Sequence, residues 1–211
     1  MADTFTITGT LTSSVFEDGT LTGGGQLKVD EQTSGFVAYQ QSSEYGSFTL
    51  LASGAWTYSL NNNAALVQAL RGGESIHDRF IASWYGSSGD ASSSTFVDVS
   101  VVGRNDQAIV SGNTTATLAA SSQRSVSGLL VVSDADSGEK SFVARSWVAG
   151  QLGTFSIDSS GTWTYALSGS GVPAQATDDA FQVQTADGTT ASVKITVGIA
   201  GISPTITLSP L

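Results

Sequence analysis

Apolar and polar positions alternate along this chain with a period of two, and two stretches with the clearest alternation repeat one another. Residues 45–60 read YGSFTLLASGAWTYSL, and residues 152–167 read LGTFSIDSSGTWTYAL. Gly46 aligns with Gly153, Phe48 with Phe155, Gly54 with Gly161, Trp56 with Trp163, Tyr58 with Tyr165 and Leu60 with Leu167, every pair 107 positions apart. Two alternating runs around a small-residue turn predict a β-hairpin. Its Phe48/Leu50 and Trp56/Tyr58/Leu60 side is expected to be buried and its Thr/Ser side wet. A repeat of this length sets the architecture before any other reading. The chain therefore reads as two copies of one domain, residues 1–106 and 107–211, the second ending in a C-terminal linker that carries Pro204 and Pro210.

The rest of each copy reads as short strands. In the first, an opening strand over 5–12 leads to a turn at Val15–Gly19, and strands follow at 26–29 and 36–40 on either side of a polar turn at Asp30–Gly35. After the hairpin, Asn61-Asn62-Asn63 is expected to cap a helix of about two turns over AALVQAL. A closing hairpin pairs Phe80–Tyr85 with Thr95–Val102 around the loop GSSGDASSS. The second copy has strands at 115–120, 129–132, 142–145, 181–185 and 191–197, with turns at Asp134–Gly138 and Ala186–Gly188. In place of the helix it has only SGSGVPAQATDD. Many short strands and almost no helix predict two tandem antiparallel β-sandwiches, end to end.

Composition narrows the partners. Only 12% of residues are charged, so Ser, Thr and Gly must cover the surface. The net charge is −10, with 11 acidic and 4 basic residues in the first half and 7 and 4 in the second. No basic cluster exists, which argues against nucleic acid as a partner. There is no cysteine, so rigidity outside the cell would have to come from something other than disulfides, commonly a metal. No apolar run approaches a membrane span. The opening MADTFTITG has no charged and apolar signal sequence, so the ends of the chain do not tell the compartment.

Two sets of segments resemble a known family. GTLTGGGQLKV, YGSFTLLASGAWTYSLNNNAALVQALRGGESIHDRF and VSVVGRND in the first copy are similar to the VCBS-type repeat of large bacterial surface proteins. So are SGLLVVSDADSGE, GTFSIDSSGTWTYAL and FQVQTADGTTASVKITV in the second. With its cadherin-like relatives, that repeat builds the extender regions of RTX adhesins. The resemblance implies an Ig-/cadherin-like sandwich stiffened by Ca²⁺, secreted to the bacterial surface, monomeric, with neighbouring repeats of the same chain as its partners. It also implies a spacer role in adhesion and biofilm formation, without insertion into the membrane. The GGxGxD nonapeptide of the Ca²⁺-binding β-roll is absent.

Candidate chemistry follows from both lines. DADSGE places three carboxylates within six residues on a turn, a supply of oxygens that Ca²⁺ can use, although Asp, Ser and Gly suit any polar turn. By analogy with cadherin-type arrays, where the metal sits at the junction, the ligands would be Glu17, Asp18 and Asp78, then Asn105 and Asp106, then Asp134 and Asp136. The analogy places one cluster there, because Glu31-Gln32-Thr33-Ser34-Gly35 lacks the Asp-x-Asp pair and Ala120-Ser121-Ser122 lacks the Glu-Asp pair. Catalysis finds little support. His77 is the one histidine, its neighbour Asp78 faces the other way on a strand, and no nucleophile elbow or phosphate loop occurs. Trp84 and Tyr85 have no aromatic counterpart in the second copy, where Thr185 aligns with Trp84. They are the expected exposed aromatic pair, and a lectin-like module binding a cell-surface glycan there is the alternative to a spacer. An accessory domain of a secreted hydrolase is the other.

Overall fold

The computed structural model describes residues 6–30, 35–85, 91–120, 123–169, 173–198 and 206–209. The polar turn after Asp30, most of the loop after Tyr85, Ser121-Ser122 and both tail prolines lie outside these residues. Two compact units divide the chain, Met1–Asp106 and Gln107–Leu211.

The first unit contains β1 (Ile7–Gly9), β2 (Thr12–Phe16), β3 (Thr22–Val29), β4 (Tyr39–Ser42), β5 (Gly46–Leu50), β6 (Ala55–Leu60), α1 (Ala65–Gln68), β7 (Ser75–Tyr85) and β8 (Ala91–Val102). One sheet runs β1-β3-β6-β5-β4 and the other β2-β8-β7. The opening strand is thus broken in two, with Gly9 at the break and φ +106°, a region glycine enters without a Cβ penalty. β1 stays antiparallel to β3, whereas β2 crosses to pair in parallel with β8. Val15 and Phe16, expected in a turn, are therefore strand, because pairing with Val101 and Val102 continues through them. The helix is one turn, not two, and Ala64 stands at its N-cap without a side-chain bond. Of the Asn61-Asn62-Asn63 run expected to supply a cap, Asn62 is engaged elsewhere: its Nδ2 donates to Asp18 Oδ1 at 2.6 Å, and Asp18 N–H donates to its Oδ1 at 2.9 Å.

The second unit contains β9 (Ile109–Ala119), β10 (Ser125–Ser133), β11 (Arg145–Ala149), β12 (Gly153–Ile157), β13 (Thr162–Leu167), β14 (Thr177–Gln184), β15 (Thr190–Gly198) and β16 (Ile206–Ser209). The order is β11-β12-β13-β10-β9-β15-β14, with β16 also paired to β9. β9 does the work of β1 and β2 in one strand. Its first part is antiparallel to β10, and its later part is parallel to β15. Gly112, at φ +101°, marks the change.

Both cores are built on the repeated hairpin. Phe48 stacks on Phe80 with centroids 4.5 Å apart, and Phe155 on Phe181 at 4.8 Å. Trp56 and Trp163 are 2% and 0% exposed, each with a satisfied indole: Nε1 donates to the Thr10 carbonyl at 2.8 Å and to the Asn113 carbonyl at 3.0 Å. The alternation read from the sequence is the observed one, with Thr57, Ser59, Thr162 and Thr164 outside and their neighbours inside.

Candidate functional site

Two acidic side chains at equivalent places, Asp78 and Asp179, are buried inside the two units. Asp78 is on the inner face of β7 and buried, next to outward-facing His77. Its Oδ2 accepts from the Tyr58 hydroxyl at 2.9 Å and from the Ser43 hydroxyl. Ser43 Oγ in turn accepts the amides of Tyr45 and Gly46, each at 3.1 Å. Asp179 repeats the arrangement on β14: Oδ2 accepts from Tyr165 Oη at 2.7 Å, Leu152 N at 2.9 Å and Gly153 N at 3.2 Å, and Oδ1 from Gln151 N at 2.7 Å. Burial, reinforced by the adjacent carboxylate, pushes both tyrosine hydroxyls well above their ordinary range. Asp78 was expected to serve a metal at the base of the first copy, and the structure corrects this. It pairs with Val99 on β8, three positions along from the Ser75–Val102 pair that ends the ladder, or roughly 10 Å at strand spacing. Its role is to hold the 43–46 turn and Tyr58.

The other sequence candidates scatter by role. Glu17 is fully buried, its Oε1 accepting from Gln68 Nε2 at 2.8 Å and its Oε2 from the Arg104 amide at 3.1 Å. It thereby ties the helix and the end of β8 to β2. Asp18 is exposed and paired with Asn62. Asn105 is exposed, and its Nδ2 donates to the Asp106 carbonyl at 2.9 Å; Asp106 is half-buried. Asp134 and Asp136 are brought together: both are buried, and Asp136 N–H donates to Asp134 Oδ1 at 2.9 Å in an Asx turn. Asp134 Oδ2 is buried without a hydrogen-bond partner, and a buried carboxylate oxygen in that state suits a cation. Among the described residues, no group of three or more His, Asp or Glu side chains comes together that could hold a metal ion.

The aromatic expectation is overturned at Trp84. It is 1% exposed, because it alternates inward with Phe80 and Ala82 and bridges to Phe36. Thr185 takes its place against Phe142 in the second unit. Only Tyr85 of that pair reaches solvent, at 38%. The exposed tryptophan is one the sequence reading passed over, Trp147 on β11, at 76%. His77 lies outward, Nδ1 2.6 Å from Asp98 Oδ1, beside an Arg79–Asp98 fork of 3.0 and 2.7 Å. Burial alone would raise the Asp98 carboxyl, but its bonds to Arg79 and His77 outweigh that and hold it below the usual carboxylate value. This trio is a cross-strand surface cluster with no nucleophile in it.

Solved structures give the layered topology its name. The chain is similar to protocadherin gamma B2 extracellular cadherin domains 3-6, with a TM-score of 0.51, 13% identity, 93% of this chain and 48% of that one. It is similar to human mucin-like protocadherin EC1-2, with a TM-score of 0.50 and 12% identity, over 92% and 98% of the two chains. Protocadherin gamma B2 domains 1-5 give 0.50 at 12% identity, over 96% and 41%. The fold is cadherin-like. In sequence, residues 105–201 match the family model described as a bacterial cadherin-like domain. None of the curated proteins matches the chain. The chain spans less than half of either gamma B2 structure, so the cadherin-like likeness concerns architecture alone. No helix among the described residues is long and apolar enough to cross a membrane.

Proposed function

We propose that this tandem is a non-enzymatic extender of a large bacterial surface adhesin, a VCBS-type spacer of the RTX kind that holds an adhesive tip away from the cell. The observation that carries the reading is the match of residues 105–201 to the bacterial cadherin-like domain, set on two units with equivalent hairpin cores. The buried polar groups support it as well. Asp78, Asp179 and Glu17 are occupied in tying turns to strands, which is work for a spacer. The only imidazole sits in an exposed salt-bridge cluster.

Ca²⁺ belongs to this proposal through Asp134 and Asp136, which supply two carboxylates on one turn, one with an unpartnered buried oxygen. Bound there, Ca²⁺ would neutralise the pair and stiffen the tandem. Small-angle scattering of the wild type and of Asp134→Ala/Asp136→Ala, each with Ca²⁺ and with chelator, tests it. The wild type should become more rigid with Ca²⁺ and the double variant should not. A wild type whose scattering ignores Ca²⁺ ends the metal part of the proposal.

A further inference from the structure

The second unit differs from the first by one residue in its edge strand. Phe36 and Phe142 occupy equivalent bridges, 106 positions apart, whereas Gln41–Phe48 and Val148–Phe155 pairs are related by 107. The extra residue makes a β-bulge between Arg145 and Val148, so that Ser146 and Trp147 together face Ser156. Trp147 takes φ +58°, a left-handed backbone that bulky residues rarely adopt, and its N–H donates to Ser156 Oγ at 3.0 Å. The equivalent strand β4 of the first unit has no such feature and runs in regular register from Tyr39 to Ser42. Bulges of this kind re-aim a side chain, and here the result is an indole 76% in water while the other three tryptophans are at most 2% exposed.

Ser146, which precedes Trp147, and Ser156, whose hydroxyl accepts from the Trp147 N–H, border an open cleft of about 290 Å³ on the outer face of the sheet. Arg145, Ser146, Ser156, Asp158, Thr162 and Thr164 line it. Asp158 Oδ1 is fixed by Ser160 Oγ at 2.6 Å and by the amides of Ser160 and Thr162 at 2.9 and 3.0 Å, which sets the carboxylate in one orientation. We infer that Trp147 and this cleft form a binding site for a neutral pyranose oligosaccharide. The C–H face of a sugar ring stacks on the indole, and its hydroxyls exchange hydrogen bonds with the Ser/Thr rows, Arg145 and Asp158. An open, shallow site gives weak binding, with Kd on the order of 0.1–1 mM.

The buried state of the other tryptophans makes acrylamide quenching of the intact chain a report on Trp147. Cellohexaose, laminarihexaose, chitohexaose and an alginate hexamer are titrated separately to about 10 mM, well above the expected Kd. At least one neutral oligosaccharide should protect Trp147 in the wild type. Calorimetry should then show a loss of about tenfold or more in Trp147→Gly, about 1.4 kcal/mol. Glycine accepts the left-handed backbone, so this variant keeps its fold, which circular dichroism checks. Thr164→Val, which removes one hydroxyl from the cleft, should weaken binding by a smaller factor. The proposal is overturned if no neutral oligosaccharide protects Trp147, or if Trp147→Gly binds within about twofold of wild type. Binding of the alginate hexamer alone, lost in Arg145→Ala but kept in Trp147→Gly, overturns it too. None of these outcomes bears on the extender reading or on its metal part, the latter being what the scattering experiment addresses.

Discussion

Asp78 and Asp179 stand at the same place in the two units and are satisfied differently. In the first, Ser43 stands between carboxylate and turn: its hydroxyl accepts the amides of Tyr45 and Gly46 and donates to Asp78. In the second, the aligned residue is Gly150, and the carboxylate enters the turn itself, collecting the amides of Gln151, Leu152 and Gly153. A Cβ on Gly150 would lie 2.8 Å from Asp179 Oδ2 and 2.5 Å from Phe181 Cζ. A buried carboxylate is tolerated when donors surround it, and the two copies supply them with one relay hydroxyl or with none. The lesson is that Ser43 and Gly150 have meaning only together with the acid beneath them.

The comparison is broken most severely at the tryptophans both units share. Trp56→Ala and Trp163→Ala each remove a buried indole and a hydrogen bond to a carbonyl, which costs about 3–5 kcal/mol. In a small domain this is a large share of the total stability. Trp163→Ala is expected to unfold the second unit while the first keeps its dispersed NMR spectrum, and Trp56→Ala to do the reverse. Native-like dispersion of both units in either variant would contradict the core assignment.

Much of this was legible because period-two alternation survives duplication. The hairpin, the inward Trp56/Tyr58 row and the hydroxylated outer face follow from it directly. What was not legible depends on register. Trp84 looked like a surface residue because Thr185 aligns with it, yet a core position need not be filled alike twice. Trp147 sits in RSWVAG, where nothing local announces a bulge. The signal was a length difference: Phe36 to Phe48 spans 12 positions and Phe142 to Phe155 spans 13. Asn61-Asn62-Asn63 looked like a source of a helix cap, and only the fold shows that Asp18 lies opposite Asn62. Among the metal candidates, the Asp134/Asp136 turn reads as a local unit and is one. Asp78 sits on a strand, where facing and depth decide its role and sequence spacing does not.

The carboxylate hubs sharpen the comparison at the next level down. An asparagine offers one acceptor and an NH₂ donor. At 78 its carbonyl can still accept from Ser43 and Tyr58, so Asp78→Asn should cost about 1 kcal/mol. At 179 a carbonyl turned to the Oδ2 side can still accept from Tyr165, Leu152 and Gly153, but the NH₂ then meets the Gln151 amide, itself a donor. Asp179→Asn should cost about 2–3 kcal/mol with that amide left bare. Gly150→Ser forces a Cβ against Asp179 and Phe181 and should cost about 1–3 kcal/mol as overpacking. Urea denaturation followed separately for each unit measures all three. Equal effects of the two Asp→Asn changes would mean that the relay and the direct arrangement are energetically alike.

The smallest expected effect concerns acid. In the turn closing β14 and β15, Asp187 Oδ2 accepts from the Ala108 amide at 3.0 Å and the Thr189 hydroxyl at 2.6 Å, while Oδ1 accepts from the Thr185 hydroxyl and from the Thr189 amide at 3.0 Å. Burial alone would raise this carboxyl, but those donors outweigh it and hold it well below the usual value. The unfolded chain has it near 3.9. A folded value beneath the unfolded one means that the stabilisation is complete above about pH 4 and fades as pH falls through the folded value. Asp187→Asn should therefore cost the second unit about 1 kcal/mol near neutrality and progressively less below pH 4, so that wild-type and variant stabilities converge in acid. In the first unit the depressed carboxylate is Asp98, whose partners His77 and Arg79 are 63% and 59% exposed. Asp98→Asn should have the same pH dependence with only a few tenths of a kcal/mol at stake, because exposed ion pairs are screened by water and salt. Thermal melts of both variants from pH 2 to 7 in low salt decide the order. If the Asp98 change has the larger effect, the claim that amide and hydroxyl donors at the turn hold a carboxylate more firmly than surface cations is wrong for this fold.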